Sequence, residues 1–215
     1  CGNDVGRHKN SAERKKAVRI TSAEFTRSIS RPEEYFNDGL PEIAVVGKSN
    51  VGKSSLINML TNNGKLARVS KQPGKTRAIN YFLLNKEFYL VDLPGYGFAR
   101  IAKSEKSSWD EMMGGYFSGA EHLKCLMILV DIRHKPTKED EAMVSYAESC
   151  CIPYMLVATK ADKIAKSKRK NEAARLKREI PKSYDCDVIP VSSEDGWGRE
   201  ALLEEMASFI YAEGR

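Results

Sequence analysis

A glycine-rich segment between an apolar run and a helix-forming stretch constrains the fold of this chain more than any other feature. The segment Gly47-Lys-Ser-Asn-Val-Gly-Lys-Ser54 follows Ile43-Ala-Val-Val46 and precedes Ser55-Leu-Ile-Asn-Met-Leu60. It matches the pattern G-x-x-x-x-G-K-[ST], in which glycines let the backbone approach phosphate oxygens and N–H groups at a helix N-terminus hold them. The alternative is a turn that matches by chance, but the flanking strand and helix favour a phosphate-binding loop.

This loop provides most of the predicted nucleotide contacts. Lys53 is expected to reach the β- and γ-phosphates, and the Ser54 hydroxyl is expected to bind Mg²⁺. The predicted contact residues of the segment are Gly47, Lys48, Ser49, Asn50, Val51, Gly52, Lys53, Ser54 and Ser55. The loop by itself predicts a nucleoside triphosphate and leaves the base open.

Two further segments have the residues expected around a γ-phosphate. Asp92-Leu-Pro-Gly95 follows an apolar run, so Asp92 can hold Mg²⁺ through water, and the Gly95 N–H can meet the phosphate. Thr76 is the candidate hydroxyl that joins the Mg²⁺ only when a γ-phosphate is bound, and Gly74 and Lys75 precede it. Asp-x-x-Gly is common and many loops contain a threonine, so these predictions depend on the order of the motifs.

A third pair of segments predicts that the base is guanine. Thr159-Lys-Ala-Asp162 follows the run Tyr154–Ala158, and the Asp162 carboxylate can accept both N1–H and the N2 amine of guanine. Adenine lacks that pair of donors, which disfavours an ATP-using protein. The Lys160 stem is expected to lie over the base, and a backbone N–H of Ser192 or Ser193 is expected to meet O6. An ordinary surface Lys–Asp pair is the alternative for the first segment.

Alternating apolar runs and amphipathic stretches predict a three-layer Ras-like α/β fold, with a mostly parallel six-stranded sheet and helices on both faces. The predicted strands are Glu42–Val46, Ile79–Leu84, Phe88–Val91, Cys125–Asp131, Tyr154–Ala158 and Val188–Val191. Helices are predicted at Gly198–Ala212 and from the N-cap Thr137 to Cys150. A segment around Val18–Ser28 is a candidate edge strand, and Asn62–Arg77 and Gly95–Ser108 are predicted to be irregular.

Composition limits the class of protein. The 215 residues fit one domain at 19–212, with a polar basic extension at 1–18 and a tail at 213–215. The longest apolar run, Cys125-Leu-Met-Ile-Leu-Val130, is far shorter than the roughly 20 residues that cross a bilayer. Five cysteines without Cys-x-x-Cys spacing fit a reducing compartment. We therefore expect a cytoplasmic protein that has no membrane partner and is monomeric in solution.

The net charge of +6 is unevenly distributed. Residues 7–19 contain six basic side chains, and the run Lys163-Ile-Ala-Lys-Ser-Lys-Arg-Lys170 contains five basic residues and no acid. Such runs attract phosphate backbones without reading a sequence. A solvated face that binds nothing is the alternative interpretation.

Taken together, the motifs resemble the EngB family of ribosome-biogenesis GTP-binding proteins, within the translation-factor class of P-loop GTPases. The segments that carry the resemblance are Gly47–Asn58, Pro73–Arg77, Ile79–Phe82, Leu90–Phe98, Asp131-Ile-Arg-His134 and Thr159–Lys163. The resemblance implies a small-GTPase fold, GTP and GDP as ligands with Mg²⁺, and hydrolysis of GTP to GDP and phosphate. It also implies that the partners are ribosomal RNA and the precursor of the large ribosomal subunit.

The catalytic residues predicted for hydrolysis are Lys53, Asn50, Thr76 and Gly95. Tyr96 stands where Ras-like enzymes have the glutamine that orients the attacking water, so we expect slow intrinsic hydrolysis. Asn50 has two interpretations: it stabilises the turn, or it helps to hold a K⁺ ion that acts like an arginine finger, as in related GTPases with asparagine here. Thr159 stands where many GTPases have asparagine, which puts its contact with the base in doubt.

The main interpretation is a protein that uses GTP hydrolysis as a timer, and the sequence leaves other functions as alternatives. One is a nucleotide-gated scaffold, or a GTP-binding module of cell division and septation, for which hydrolysis matters little. A vesicle-trafficking switch is disfavoured because the sequence ends Ala-Glu-Gly-Arg215, without a cysteine for lipidation. Hydrolysis measured with and without ribosomal subunits would separate the timer from the scaffold.

Overall fold

A computed structural model describes residues 18–31, 34–35, 37–67, 78–96 and 103–212, and at 103–110 it describes the backbone alone. The predicted contacts Gly74, Lys75 and Thr76 lie outside the described residues, as do most of the basic extension and the tail at 213–215. Val18, assigned above to the extension, is buried in the core.

The described residues form one sheet of seven strands in the order β1-β3-β4-β2-β5-β6-β7. The strands are β1 (Ala23–Ile29), β2 (Glu42–Gly47), β3 (Ile79–Leu84), β4 (Phe88–Asp92), β5 (Leu123–Asp131), β6 (Tyr154–Thr159) and β7 (Val188–Pro190). Pairing is antiparallel for β1 with β3 and for β3 with β4, and it is parallel between the remaining neighbours. The predicted mostly parallel sheet is confirmed.

The prediction of six strands was wrong by one, because the candidate edge segment forms β1. This strand pairs with β3 alone, and its register shifts between Phe25 and Arg27. Its central side chains are exposed and only Ile29 is buried. An edge strand with one neighbour and few buried side chains has little of the apolar alternation by which strands are recognised.

Five helices cover the sheet in the described part of the chain. They are α1 (Lys53–Thr61), α2 (Lys103–Gly119), α3 (Lys138–Ser149), α4 (Arg169–Glu179) and α5 (Arg199–Ile210). The predicted helix near the C-terminus is confirmed, with Gly198 as its N-cap. Thr137 is confirmed as the N-cap of α3 and forms a capping box with Asp140. None of the described helices combines the length and the hydropathy that a membrane span requires.

The irregular segment predicted at Gly95–Ser108 was wrong at its end, because α2 begins at Lys103. Its first residues, Lys-Ser-Glu-Lys-Ser-Ser, contain no apolar residue at helical spacing. The apolar side chains that pack on the sheet, Met112, Met113 and Tyr116, come only in the later turns. A polar first half is not distinguishable from a loop by periodicity.

Two apolar layers hold the helices on the sheet. Alternate residues of β2 face opposite sides, so that Ala44 and Val46 join the cluster under α2, α3 and α4, whereas Ile43 and Val45 join the cluster under α1 and α5. All four side chains are fully buried. The central strand is therefore held from both faces, and the loop that follows it starts from a fixed point.

Candidate nucleotide-binding site

The predicted contact segments that the structure describes meet at one edge of the sheet. The loop after Gly47 follows β2, Asp92 ends β4, Thr159 ends β6, and Ser192 lies two residues beyond β7. These strands are parallel to one another, so their carboxyl ends lie together, where ligands bind in open α/β sheets. The structure brings the separate motifs into one site.

The phosphate loop has a backbone that few residue types adopt. Gly52 is the N-cap of α1 with φ of 111°, a conformation that favours glycine. Asn50 also has a positive φ, 63°, which asparagine tolerates better than most residues. The Val51 N–H donates to the Lys48 carbonyl oxygen at 3.0 Å and closes the turn. The turn of the phosphate loop therefore ends at Gly52, and α1 begins at the next residue, Lys53.

The two charged residues predicted for the phosphates and for Mg²⁺ lie side by side. The Lys53 ammonium donates a hydrogen bond to Asp92 Oδ1, and the side chains are only 12% and 6% exposed. Each charge is thereby compensated in a site that water barely reaches. A cation for phosphate and a carboxylate for a divalent metal are thus in contact at the start of α1.

The segment Gly95-Tyr96 is joined to the phosphate loop through the backbone. The Tyr96 N–H donates to the Gly47 carbonyl oxygen at 3.2 Å, and the Ser49 N–H donates to the Tyr96 carbonyl oxygen at 2.9 Å. A Cβ added to Gly95 would lie 3.1 Å from the Gly47 oxygen and 3.5 Å from the Ser49 nitrogen. A larger residue would displace the loop slightly. Gly95, the predicted γ-phosphate contact, therefore lies directly against the phosphate loop.

The Tyr96 side chain is directed into the protein. Its hydroxyl donates to Asp140 Oδ1 at 2.8 Å, and Asp140 Oδ2 accepts from the Thr137 N–H and hydroxyl, both at 2.9 Å. Burial, and next the nearby Asp140 charge, raise the pKa of Tyr96 well above its ordinary value, so it stays a neutral donor. Tyr96 therefore connects the end of the Asp92–Gly95 segment to the start of α3.

Replacing Tyr96 by phenylalanine tests this assignment. Loss of the hydroxyl leaves Asp140 Oδ1 buried without its donor, so we expect the free energy of unfolding to fall by about 1.5 kcal/mol. The single-turnover rate of hydrolysis should change less than about twofold, because the hydroxyl is committed to α3. Chemical denaturation and rapid-quench hydrolysis measure the two effects, and a tenfold slower reaction would show that the hydroxyl acts in the chemistry.

Thr159 supports the phosphate loop. Its side chain is buried, and its hydroxyl lies 2.6 Å from the Val51 carbonyl oxygen and 3.1 Å from the Val130 carbonyl oxygen. Both neighbours accept, so the hydroxyl proton is used on the backbone. Thr159 thus connects the loop after β6 with the loop after β2.

Lys160 is held by two oxygen atoms. Its ammonium donates to the Asn50 carbonyl oxygen at 2.7 Å and to Asp131 Oδ2 at 3.0 Å. Asp131 also accepts from Arg133 Nε at 2.9 Å and Nη2 at 2.7 Å. Burial opposes ionisation of Asp131, yet the hydrogen bonds from Arg133 and Lys160 lower its pKa well below the usual range. The Lys160 stem is therefore fixed along one wall of the site.

Asp162 has a buried carboxylate oxygen that can accept a hydrogen bond from a ligand. Its Oδ2 atom is buried and has no hydrogen-bond partner among the described residues. The Lys163 ammonium lies 2.9 Å away and compensates the charge of this oxygen as an ion pair. Lys163 itself is exposed, and a base with two adjacent N–H groups would give the carboxylate hydrogen bonds from the side of the site.

The two serines predicted to contact the base, Ser192 and Ser193, differ in their hydrogen bonds and exposure. The Ser192 N–H donates to the Trp197 carbonyl oxygen at 2.9 Å, and the Ser192 side chain is fully buried. Its N–H is therefore committed within the loop after β7. Ser193 is partly exposed, so of the two it is the candidate for a contact with a base.

Comparison with known proteins decides the family. A family profile described as "50S ribosome-binding GTPase" matches residues 42–160. A probable GTP-binding protein EngB of Geobacillus thermodenitrificans is 43% identical over 193 residues, which cover 90% of this chain and 99% of that protein. The chain belongs to the EngB family of GTP-binding proteins. A probable EngB of Clostridioides difficile is 44% identical, with 89% of this chain and 94% of that protein covered.

Solved structures agree with the EngB assignment. The crystal structure of a probable GTP-binding protein EngB matches with a TM-score of 0.64 and 25% identity, covering 80% of this chain and 100% of that one. Era from Aquifex aeolicus matches with a TM-score of 0.63 and 23% identity, covering 82% of this chain and 58% of that one, which supports the fold alone. This EngB-family chain therefore has the Ras-like fold predicted from its sequence, and it is a GTPase that binds GTP and GDP.

Three charged residues that join the loops around the predicted site were not among the predicted contacts. Asp131 belongs to the motif Asp131-Ile-Arg-His134, and its position at the end of β5 is a signal that could have placed it there. The contacts of Tyr96 with Asp140 and of Arg169 with Asp195 have no such signal, because the two partners are separated by 44 and 26 residues. Such pairs are selected by packing, which a local pattern does not contain.

Proposed function

We propose that this protein is a GTP-hydrolysing timer that assists assembly of the large ribosomal subunit. The observation that carries the nucleotide part is the Asp162 carboxylate, whose buried Oδ2 is paired with Lys163 and which lies at the edge of the sheet where Lys53 begins α1. A guanine base and a triphosphate tail would satisfy these two groups together. The ribosomal part is supported by the family, whose profile is described as "50S ribosome-binding GTPase".

The guanine contacts come from three groups on two loops. Asp162 accepts N1–H and the N2 amine, Lys160 lays its fixed stem along the base, and the Ser193 N–H donates to O6. Thr159 acts indirectly, through its hydroxyl on the phosphate loop. The base is thus selected by hydrogen-bond pairing that adenine does not match.

The phosphates and Mg²⁺ fit the opposite end of the site. Backbone N–H groups of the loop from Gly47 to Ser55 hold the phosphates, and Lys53 moves its ammonium from Asp92 to the β- and γ-phosphates. Ser54 and Asp92 would hold Mg²⁺ together with Thr76, which lies outside the described residues. When bound, Mg²⁺ neutralises the negative charge of the phosphate oxygens.

The K⁺ hypothesis for Asn50 predicts faster turnover in potassium than in sodium. Asn50 is exposed at the turn of the phosphate loop, and its carbonyl oxygen already accepts from Lys160. Steady-state GTP hydrolysis at equal ionic strength in KCl and NaCl measures the effect, with Asn50→Ala as the comparison. Equal rates in the two salts would leave Asn50 with its turn-stabilising role alone.

The proposed RNA contact surface consists of Lys166, Lys168 and Lys170. Lys166 and Lys168 are exposed on the turn before α4, and Lys170 is exposed as the second residue of that helix. None of the three forms an ion pair with an acidic side chain among the described residues. Two other basic residues of the same run are committed, because Lys163 pairs with Asp162 and Arg169 is buried. The three lysines adjoin the guanine-binding loop and provide phosphate contacts without sequence specificity.

Co-sedimentation with isolated 50S subunits across a salt series tests this surface. We expect the variant Lys166→Gln/Lys168→Gln/Lys170→Gln to bind about tenfold more weakly at low salt and to show a shallower dependence on salt. The matched control replaces three exposed lysines on other surfaces, Lys65, Lys86 and Lys135, in the same way. An equal loss in both variants would point to net charge, and unchanged binding in the first would remove the surface.

The timer differs from the scaffold alternative in how subunits affect hydrolysis. A timer requires that the ribosomal particle changes the rate, so we propose that 50S subunits stimulate single-turnover hydrolysis. A scaffold would bind in the GTP form at an unchanged rate. The proposal includes a monomer that acts in the cytoplasm, where ribosomal subunits assemble.

A further inference from the structure

Arg169 is a buried arginine with an unusual set of contacts. It is the first residue of α4 and is only 2% exposed. Its Nη2 donates to Asp195 Oδ2 at 2.9 Å, and its guanidinium carbon lies 5.1 Å from the centroid of the Trp197 ring. Its Nε and Nη1 have no hydrogen-bond partner among the described residues. A buried guanidinium with one ionic partner and two nitrogens without hydrogen bonds lowers the stability of the fold. A role in function would explain why an arginine occupies this position.

The partners of Arg169 belong to the loop that follows β7. The Asp195 N–H donates to Ser192 Oγ at 3.2 Å, the Trp197 N–H donates to Asp195 Oδ1 at 3.1 Å, and the Ser192 N–H donates to the Trp197 carbonyl oxygen. Hydrogen bonds with Ser192, and then with Arg169, lower the pKa of Asp195 to about 2, so the carboxylate stays charged. Arg169 therefore contacts this loop at two points, one ionic and one aromatic.

The same arginine is connected to the loop that follows β6. The turns from Lys160 to Arg169 are closed by hydrogen bonds from the Lys163 N–H to the Lys160 oxygen and from the Lys168 N–H to the Ala165 oxygen. The Ala161 N–H donates to the Val191 oxygen at 3.0 Å and joins the two loops at their bases. Arg169 joins them a second time, farther from the sheet.

The buried side-chain nitrogen and oxygen atoms that lack a hydrogen bond are restricted to two residues. The buried side-chain atoms without a hydrogen-bond partner in the described part of the chain belong to Asp162 and Arg169 alone. Asp162 reads one edge of the base, and Arg169 holds the loop of Ser193. These two residues, one on the loop after β6 and one at the start of α4, each have one ionic partner, Lys163 and Asp195.

We infer that Arg169 is a positioning residue for guanine recognition, which holds the 192–197 loop so that the Ser193 N–H meets O6 while Asp162 meets the other edge. This inference rests on the proposed function. Arginine suits the role because its planar group stacks on an indole ring and donates to a carboxylate at the same time, which lysine does not reproduce. Loss of Arg169 would leave Asp162 in place but would release the O6 contact.

The test compares GDP with 6-thio-GDP, which keeps N1–H and the N2 amine but has sulfur, a weak acceptor, in place of O6. For the wild type at pH 7 we expect calorimetry to give about tenfold tighter binding of GDP than of 6-thio-GDP. In Arg169→Met this ratio should fall to about twofold, mainly through weaker GDP binding. Methionine keeps apolar packing against Trp197, so the thermal midpoint without nucleotide should change little.

Two other variants keep the test decisive. Asp195→Asn alters the half-exposed partner, and it should lower the ratio in the same direction if Arg169→Met does not fold. Arg178→Met makes the same substitution farther along α4, where Arg178 is exposed, and it should keep the ratio of the wild type.

Three results would overturn the inference. A ratio that stays at the wild-type value in both Arg169→Met and Asp195→Asn would show that Arg169 is structural only. A wild-type ratio near one would show that O6 is not read, although guanine binding and the proposed function would stand. Failure of the wild type to bind GDP would overturn the proposed function itself, together with this inference.

Discussion

Replacement of Asp162 by asparagine should weaken GDP binding about 100-fold, because two charge-assisted hydrogen bonds to the base are lost together. An asparagine amide offers one acceptor, and its NH2 group faces a donor on guanine. Xanthine has a carbonyl at the position of the guanine amine, so the same NH2 group can donate to it. We therefore expect XDP to bind this variant more tightly than GDP, the reverse of the wild type, when both are measured by calorimetry.

The matched control for this change is Asp187→Asn. It removes the same charge from an exposed residue that forms an ion pair with Lys177, so GDP affinity should stay within about twofold of the wild type. If Asp162→Asn bound GDP as tightly as the wild type, the buried Asp162 carboxylate would not read the base. The proposed function would then lose the observation on which it depends.

Replacement of Lys53 by methionine should lower the rate of GTP hydrolysis more than about 100-fold, since the cation that faces the β- and γ-phosphates is lost. The change should also destabilise the nucleotide-free protein. Asp92 is buried and would lose the ammonium that compensates its carboxylate, so the free energy of unfolding should fall by about 3 kcal/mol. Phosphate release and chemical denaturation measure the two effects.

The double variant Lys53→Met/Asp92→Asn separates stability from activity. It removes the uncompensated carboxylate, so most of the lost stability should return while the rate of hydrolysis stays as low as in Lys53→Met. Lys65→Met, on an exposed turn after α1, is the control and should leave both properties unchanged. A stable Lys53→Met that hydrolyses GTP normally would contradict both the ion pair and the phosphate contact.

Much of the fold was predictable because its signals are contiguous in the chain. The run Ile43–Val46 is apolar on both faces, as a central parallel strand must be, and it forms β2. Thr137 and Asp140 form the capping box that starts α3. By contrast, β1 has exposed side chains along most of its length, so it lacks the apolar alternation of a half-buried strand. The first turns of α2 are polar and precede the turns that pack on the sheet, so they lack apolar residues at helical spacing.

The sequence by itself determined the type of site, because each nucleotide-binding motif is a short segment whose residues act together at a fixed spacing. Its order of motifs predicted a guanine nucleotide, and the family comparison agrees. Only the tertiary structure decided that Lys53 meets Asp92, that Tyr96 is committed to Asp140, and that Ser192 has no free N–H for a base. Such partners are brought together by the packing of helices on the sheet, and burial then determines which polar groups are satisfied and which are left for a ligand.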